Sequence, residues 1–117
     1  MTREEFKVRP KAFALRVIKV VDALPRDTVA KTLGHQLLRS GTSVAANYRA
    51  SVRAKSSADF VSKMGTVEEE CDEPLFWMEL LIDSGRMKPD RLADLMREGG
   101  EILAIAVASI KTARRGK

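Results

Sequence analysis

The chain contains a single cysteine, Cys71, and a single histidine, His35. It can therefore form no intrachain disulfide, and it lacks the residues for a structural zinc site built from cysteine and histidine. The longest apolar run, Ile102 to Ile110, is about half of the roughly 20 residues that cross a bilayer, and residues 1–6 lack the apolar core of a signal peptide. We therefore expect a cytoplasmic protein without a metal, a cofactor or a membrane partner.

Patterns typical of catalysis are scarce as well. The sequence has no nucleophile paired with a general base and no glycine-rich loop that would hold a phosphate. The acidic run at 68–73 lacks the Glu-x-x-His motifs of di-metal bundles, so it is interpreted as a solvated face or a subunit contact. Cys71 falls on an apolar seam, where a thiol acts as a small hydrophobe with a raised pKa. No enzyme is predicted.

What the chain does have is enough apolar residues for one core and an uneven distribution of charge. Its 117 residues are 44% hydrophobic and 32% charged, which suits a single domain spanning 1–117. Residues 1–55 carry 12 Lys and Arg against 4 Asp and Glu, whereas residues 56–117 carry 9 against 12. This asymmetry favours either an anionic partner such as nucleic acid, or a basic pair of helices packed on an acidic pair.

Apolar periodicity organises the chain into four segments. It predicts helices at about 10–24, 27–54, 56–84 and 89–114. No alternating β-branched run predicts a strand, and Gly85 marks a helix end. The expected fold is therefore all-α, an antiparallel up-down-up-down four-helix bundle.

Local signals set the helix boundaries. Pro10 suits the first turn of a helix, and Asp27 or Thr28 suits an N-cap. Ser56 and Asp59 have the spacing of a capping box, which places the start of the third helix there.

The second predicted helix carries two stripes of different character. Its apolar seam consists of Leu33, Leu37, Val44 and Tyr48. Gly41 falls on that seam, which indicates a close approach by a neighbouring helix. A polar stripe about a quarter-turn away consists of Gln36, Ser40, Ser43 and Asn47. Because buried polar groups need partners, we expect a structural network with the third helix. The members of this predicted polar network are Arg39, Ser43, Asn47, Glu69 and Glu70.

Two adjacent aromatic residues, Phe76 and Trp77, occupy the third predicted helix. Neighbouring helix positions point about 100° apart, so both rings cannot enter one bundle core. We predict that they form a subunit interface, with a groove against the first helix as the alternative cover for the second ring.

A series of basic residues runs along the second predicted helix, and no Asp or Glu interrupts it. Arg49 and Arg53 are one turn apart, and Lys55 lies at the helix end, so these three are the expected exposed cluster. Lys31 belongs to the same series nearer the helix start, and His35 fits a basic surface stripe better than an acid–base role. Arg49, Arg53, Lys55 and Lys31 are the candidate nucleic-acid-binding residues.

One stretch of the sequence resembles a known family. The residues that carry the resemblance are Gln36, Leu37, Arg39, Ser43, Ala46 and Asn47, followed by Arg53, Ser56, Phe60, Gly65, Glu69 and Glu70. They resemble the bacterial four-helix bundle proteins first noticed as reading frames inside intervening sequences of large-subunit ribosomal RNA. This chain departs from the commoner pattern after Asn47, because Tyr48-Arg49-Ala50-Ser51 replaces a small-acid-glycine turn and strengthens the basic face.

The resemblance implies a four-helix bundle that assembles into a ring-like homopentamer. It also implies a shape similar to the accessory variability protein of diversity-generating retroelements, which binds nucleic acid and a reverse transcriptase. The sequence hypothesis is therefore a non-enzymatic, homo-oligomeric module that binds RNA or DNA or serves assembly. The alternative is a protein–protein scaffold or adaptor without nucleic-acid binding.

Overall fold

A computed structural model of the protein describes residues 2–116, so the first and last residues of the predicted domain lie outside the described part. Four helices follow one another: α1 (Arg3–Asp22), α2 (Thr28–Ser51), α3 (Ser57–Asp83) and α4 (Pro89–Arg115). The connections at 23–27, 52–56 and 84–88 can each span at most about 18 Å, less than the roughly 30–40 Å length of a helix. Consecutive helices therefore run antiparallel, and the predicted all-α up-down-up-down bundle is confirmed.

The helices enclose one apolar core in a rod of 50 × 20 × 19 Å. α1 and α3 each pack against α2 and α4, so α1 and α3 lie diagonally across the bundle. The close approach predicted at Gly41 is confirmed, because a Cβ there would lie 2.9 Å from Cγ1 of Val17 in α1. The larger side chains of the core are Phe13, Val17, Leu37, Val44, Tyr48, Met64, Met78, Leu81, Leu92 and Ile102.

The predicted start of the first helix at about residue 10 is wrong. α1 begins at Arg3, about two turns before Pro10. A capping box holds this start: the amide of Glu5 donates to Oγ1 of Thr2 at 3.2 Å, and the amide of Thr2 donates to Oε1 of Glu5 at 3.1 Å. The added turns bury Phe6, which is worth about 1.5–3 kcal/mol, and the cap adds about 1 kcal/mol. Together these offset the roughly 3 kcal/mol cost of a proline inside a helix.

The other boundaries lie within three residues of their predicted positions. α2 ends at Ser51 and not at 54, because the amides of Val52, Arg53 and Ala54 donate to carbonyls three residues earlier and tighten the chain into a turn. The N-cap of α2 is Asp27, whose Oδ1 accepts from the amide of Ala30 at 2.9 Å.

Both ends of α3 have recognisable caps. Oγ of Ser56 accepts from the amide of Asp59 at 3.0 Å, but the Asp59 carboxylate accepts from the amide of Lys55 and not of Ser56. The first bond of the predicted capping box is therefore present, but the bond back from Asp59 is made to the residue before the N-cap. At the other end, the amides of Gly85 and Arg86 donate to the carbonyls of Ile82 and Leu81, a Schellman motif. Gly85 has a φ of 78°, which confirms it as the helix stop.

Candidate nucleic-acid interface and subunit surfaces

The antiparallel topology brings the start of α1, the end of α2, the start of α3 and the end of α4 to one end of the bundle. Arg49, Arg53 and Lys55 all lie there and are exposed. Arg3 lies beside Lys55, since both line the same shallow depression over Phe6 and Phe60. The last turn of α4 adds two further cations. We call this region the basic end, and its members are Arg3, Arg49, Arg53, Lys55, Arg114 and Arg115.

Lys31 is separate from the basic end. It lies on the same side of α2 as Arg49 but 18 positions earlier, which corresponds to about 27 Å along the helix. There it lines a depression with His35 and Leu24 near the connection between α1 and α2. The structure therefore brings together three of the four candidate nucleic-acid-binding residues and leaves Lys31 at a distance.

The cations of α1 and α2 fall into two groups, paired and unpaired. Arg9 donates to Glu98 at 2.7 Å and to Glu101 at 2.5 Å, and Arg16 donates to Asp94 at 2.8 Å. The Arg9 guanidinium bonded to Glu98 holds the pKa of that carboxyl below its usual value. Those pairs tie α1 to α4 along the middle of the bundle.

The basic end makes no such pairs. Across residues 2–116, none of its side chains lies within salt-bridge distance of a carboxylate. Its nearest acid on α3, Asp59, is bonded to Lys63 at 2.7 Å and to the amide of Lys55. α4 contains no Asp or Glu after Glu101, and the two acids in the first turn of α1, Glu4 and Glu5, form no ion pair with these cations among the described residues. The charge of this end is therefore available to an anionic ligand.

The polar stripe of α2 makes mostly local bonds. Nδ2 of Asn47 donates to the carbonyl of Ser43 at 2.8 Å and to its Oγ at 3.0 Å. Arg39 bonds Gln36 one turn earlier and Glu73 of α3. Thus Arg39 does bridge α2 to α3, but its acidic partner is Glu73 and not Glu69 or Glu70. Glu69 points away from α2 because it lies on the exposed side of α3.

Phe76 and Trp77 have different environments. Phe76 is 50% exposed and lies on the side of α3 opposite the core, whereas Trp77 is half-buried against it. Nε1 of Trp77 donates to Glu73 at 3.2 Å, and the two rings meet edge to face at 5.0 Å. Among residues 2–116, α1 lies diagonally across the bundle from α3, so no groove with the first helix, the alternative cover, forms beside these two rings. Phe76 remains uncovered in the single chain.

The outward side of α3 is acidic around that ring. Residues 64–83 contain seven Asp and Glu and no Lys or Arg. We call this surface the acidic–aromatic face, and its members are Glu69, Asp72, Phe76, Glu79 and Asp83. Four of its members are carboxylates at helical spacing around one exposed ring, a composition that suits a protein contact and repels nucleic acid.

Cys71 and Tyr48 carry ionisable groups, but both lie in buried surroundings that keep these groups uncharged. Cys71 is buried, and burial, with Glu70 and Glu68 adding to it, raises the pKa of its thiol to about 12. The sequence prediction of a hydrophobe-like thiol is confirmed. Tyr48, which sequence reasoning assigned only to the seam, is fully buried, and its hydroxyl donates to the carbonyl of Ile102 at 2.6 Å. Desolvation raises the pKa of this tyrosine.

Two further observations concern the described residues as a set. No cluster of three or more His, Cys, Asp or Glu side chains between residues 2 and 116 has the arrangement of a metal site. None of the four helices is long and apolar enough to cross a membrane.

Sequence reasoning missed an exposed apolar stripe on α1. Val8, Leu15 and Ile18 are 59%, 52% and 37% exposed, and they share the side of α1 that faces away from the core. The available signal was their spacing of seven and three, which is helical but out of phase with the buried seam of Phe13 and Val17.

Fold and surfaces together define a four-helix bundle protein with a basic end and an acidic–aromatic face. Residues 4–108 match the model of the 23S rRNA-intervening sequence protein family, and the chain belongs to that family. The structure is similar to a Bacteroides thetaiotaomicron protein of unknown function from the S23 ribosomal protein family, with 30% sequence identity and a TM-score of 0.83. That similarity covers 91% of this chain and 98% of the other. None of the curated proteins matches the chain significantly.

Proposed function

We propose that the protein is a non-enzymatic, homo-oligomeric module that binds nucleic acid through the basic end. The observation that carries the proposal is the set of unpaired cations at this end, with Arg49, Arg53 and Lys55 at its centre. Phosphates are the anions that such a surface favours, because each contact releases condensed counterions. Charge without base-reading geometry gives sequence-tolerant binding to RNA or DNA.

Assembly strengthens this binding in the proposal. We propose a homopentamer, which would present five copies of the basic end and convert weak contacts into avidity. The uncovered ring of Phe76 supports an assembly, since large exposed aromatics are typical interface anchors. Light scattering should give about five times the chain mass of 13.0 kDa. A mass of one chain would contradict assembly, whereas a dimer or a hexamer would reject only the stoichiometry.

Binding is tested by gel retardation of long RNA and DNA at about 50 mM salt, where screening is weak. We expect wild type to bind, with a log–log salt slope of roughly 0.7–0.9 per phosphate neutralised. Replacing Arg49, Arg53 and Lys55 together by Gln should lower the affinity at least about tenfold and reduce the slope, while the oligomer mass stays the same.

A matched control removes the same charge from the opposite end of the bundle. Arg26, Lys88 and Arg91 are exposed and unpaired among the described residues. Their joint replacement by Gln should leave most of the affinity in place. Equal losses in the two triple variants would show that net charge alone, and not the basic end, is responsible.

The second candidate function is a protein–protein scaffold, and the acidic–aromatic face favours it. This face needs only a protein partner, because carboxylates around an exposed ring offer nothing to a phosphate. If wild type retards no long RNA or DNA at about 50 mM salt, the nucleic-acid proposal fails and the scaffold proposal takes its place.

A further inference from the structure

The groove between α1 and α2 combines apolar and basic residues. Its apolar centre is formed by Val8, Leu15 and Ile18, which project outward from α1 along about 15 Å of helix. Leu38 and Ala45 continue this centre on the adjoining side of α2. A protein that exposes large aliphatic side chains in a line, and not singly, has a surface suited to a partner.

The charges beside that centre are mostly positive, and the nearest acids, Glu4 and Asp22, lie one turn beyond its two ends. Residues 6–21 and 28–58 contain no Asp or Glu. Exposed cations border the apolar centre: Lys7, Lys11 and Lys19 on α1, and Lys31 and Arg49 on α2. We call this surface the basic–apolar groove.

The acidic–aromatic face is its complement. It offers one large ring, Phe76, at the middle of a carboxylate stripe from Glu69 to Asp83 that extends about 21 Å. An apolar centre with a charged border on each side matches the usual anatomy of an interface, in which a dry core is surrounded by a polar rim. A nucleic acid would satisfy the cations of the groove but leave Leu15 and Ile18 without a partner. A second copy of this chain satisfies both.

The two surfaces cannot meet within one molecule. α1 and α3 occupy diagonal positions, and their outward sides face in roughly opposite directions. Contact between the two surfaces therefore requires different copies, and each copy uses one surface for each neighbour. This is a head-to-tail contact, and it closes into a ring when the rotation between copies allows.

We infer that the acidic–aromatic face of one copy docks in the basic–apolar groove of the next, with the ring of Phe76 against Leu15 and Ile18 and the carboxylates of α3 opposite the lysines of α1. The inference rests on the homo-oligomer part of the proposed function and adds the surfaces that meet. It leaves Arg53 and Lys55 outside the contact, at the end of the bundle. Arg49 lies at the border of the groove, and the loss of this one exposed cation of five should leave the oligomer assembled.

Two variants each disable one side of the contact. Lys11→Glu with Leu15→Glu places carboxylates in the groove, and Phe76→Ala with Asp72→Lys removes the ring and reverses a charge on the face. All four positions are exposed, so both variants should keep wild-type helicity and melting temperature. Each variant alone should be a monomer at micromolar concentration, because the contact weakens by about 100-fold or more.

Mixing the two variants is the decisive measurement. A head-to-tail contact leaves one intact face and one intact groove in the mixture, so the variants should form a 1:1 dimer of about twice 13.0 kDa and nothing larger. Val29→Ala, a change at an exposed apolar residue on the side of α2 next to α3, is the control and should keep the wild-type mass.

Four results would overturn the inference. Retention of wild-type mass by both variants would show that other surfaces form the contact. A mixture that stays monomeric would show that the intact face does not dock in the intact groove. Loss of RNA binding without loss of mass in the groove variant would assign the groove to nucleic acid. If wild type itself is monomeric, the homo-oligomer part of the proposed function fails first.

A second double variant tests the contact if one of the variants above loses helicity. Asp72→Asn with Glu79→Gln removes two charges from the acidic–aromatic face without adding a new charge, so it should fold normally. It should weaken association about tenfold at low salt and have little effect at about 1 M salt. No weakening at low salt would contradict the inference.

Discussion

The middle of the bundle and its basic end use the cations of α1 and α2 in different ways. In the middle, Arg9 and Arg16 bond carboxylates of α4, and Arg39 bonds Glu73 of α3. At the basic end the same two helices and the connection after α2 present unpaired cations. α4, which lies beside α1, has no acid after Glu101, and Asp59 of α3, which lies beside α2, bonds Lys63. The comparison shows that the charge of a helix does not identify a binding surface by itself. What matters is which of its cations face a carboxylate on the neighbouring helix.

This difference implies that uncharged contacts hold the basic end together. Phe6 packs edge-on against Tyr48 at 5.3 Å and lies parallel to Phe60 at 6.4 Å. These rings lie beneath Arg3 and Lys55 and supply the stability that ion pairs supply elsewhere.

The largest effect is expected for Phe6→Ala. Removing a buried ring should lower the free energy of unfolding by about 2–4 kcal/mol, because a cavity replaces its contacts with Tyr48 and Phe60. The first turns of α1 should also fray towards Pro10. Urea unfolding measures the first effect and amide hydrogen exchange at residues 3–9 the second. Val8→Ala, at an exposed position in the same turns, is the control; equal stability of the two variants would contradict the assignment.

Tyr48→Phe should have the next largest effect. It keeps the ring but removes the buried bond to the carbonyl of Ile102, so the loss should be about 1 kcal/mol. Thermal unfolding at pH 7 is the measurement. An unchanged midpoint would show that the hydroxyl contributes nothing to joining α2 and α4 at this end.

Arg9→Met tests the paired cations in the middle. We expect a loss of about 0.5–1 kcal/mol at pH 7, because Glu98 is left half-buried without its partner. The pKa of Glu98 is lowered in the folded protein, so the stability from this pair is present above the unfolded value of about 4.3 and is lost as the pH falls through the folded pKa.

The pH dependence provides the control for that variant. The difference in unfolding free energy between wild type and Arg9→Met should be constant from pH 6 to 7 and shrink below about pH 4. Lys111→Met, at an exposed position of α4 that has no ion pair among the described residues, should show no such dependence. A difference that grows on acidification would show that the pair does not stabilise the fold.

Asn47→Leu should have the smallest effect, below about 0.5 kcal/mol. The sequence alone suggested a costlier loss through a network with α3, but among residues 2–116 the side chain of Asn47 bonds only Ser43 one turn earlier. Differential scanning calorimetry and light scattering are the measurements. A large drop in melting temperature with a change in oligomer mass would assign Asn47 to a subunit contact.

Much of the fold could be predicted because helical periodicity is local. The spacing of Leu37, Val44 and Tyr48 already identified the buried side of α2, and Gly85 and Asp27 marked ends that the structure confirms. The start of α1 was missed because Pro10 outweighed a Thr2-x-x-Glu5 pattern. Whether the helix extends past Pro10 towards its start depends on the stability gained by burying Phe6. That burial requires Tyr48 and Phe60 from two other helices.

The candidate surfaces were predictable only in part. The unbroken run of cations around Arg49 and Arg53 identified a basic surface, and the adjacent Phe76 and Trp77 identified one ring that the core cannot hold. The sequence could not show that Lys31 lies far from the cluster, nor that Arg3 and Arg114 join it. Those positions depend on which helix ends meet.

The sequence by itself determined the helices, their buried sides and the separation of positive from negative charge, since these follow from residue spacing of three and four and from composition. Only the tertiary structure decided which charges are matched. Arg9 and Arg49 are alike in sequence terms. Arg9 nevertheless meets Glu98, because α4 lies beside α1 at that level of the bundle, whereas Arg49 meets no carboxylate in the described part of the chain. Pairing requires approach within a few ångströms of residues distant in the chain, so it depends on helix packing and not on the local sequence.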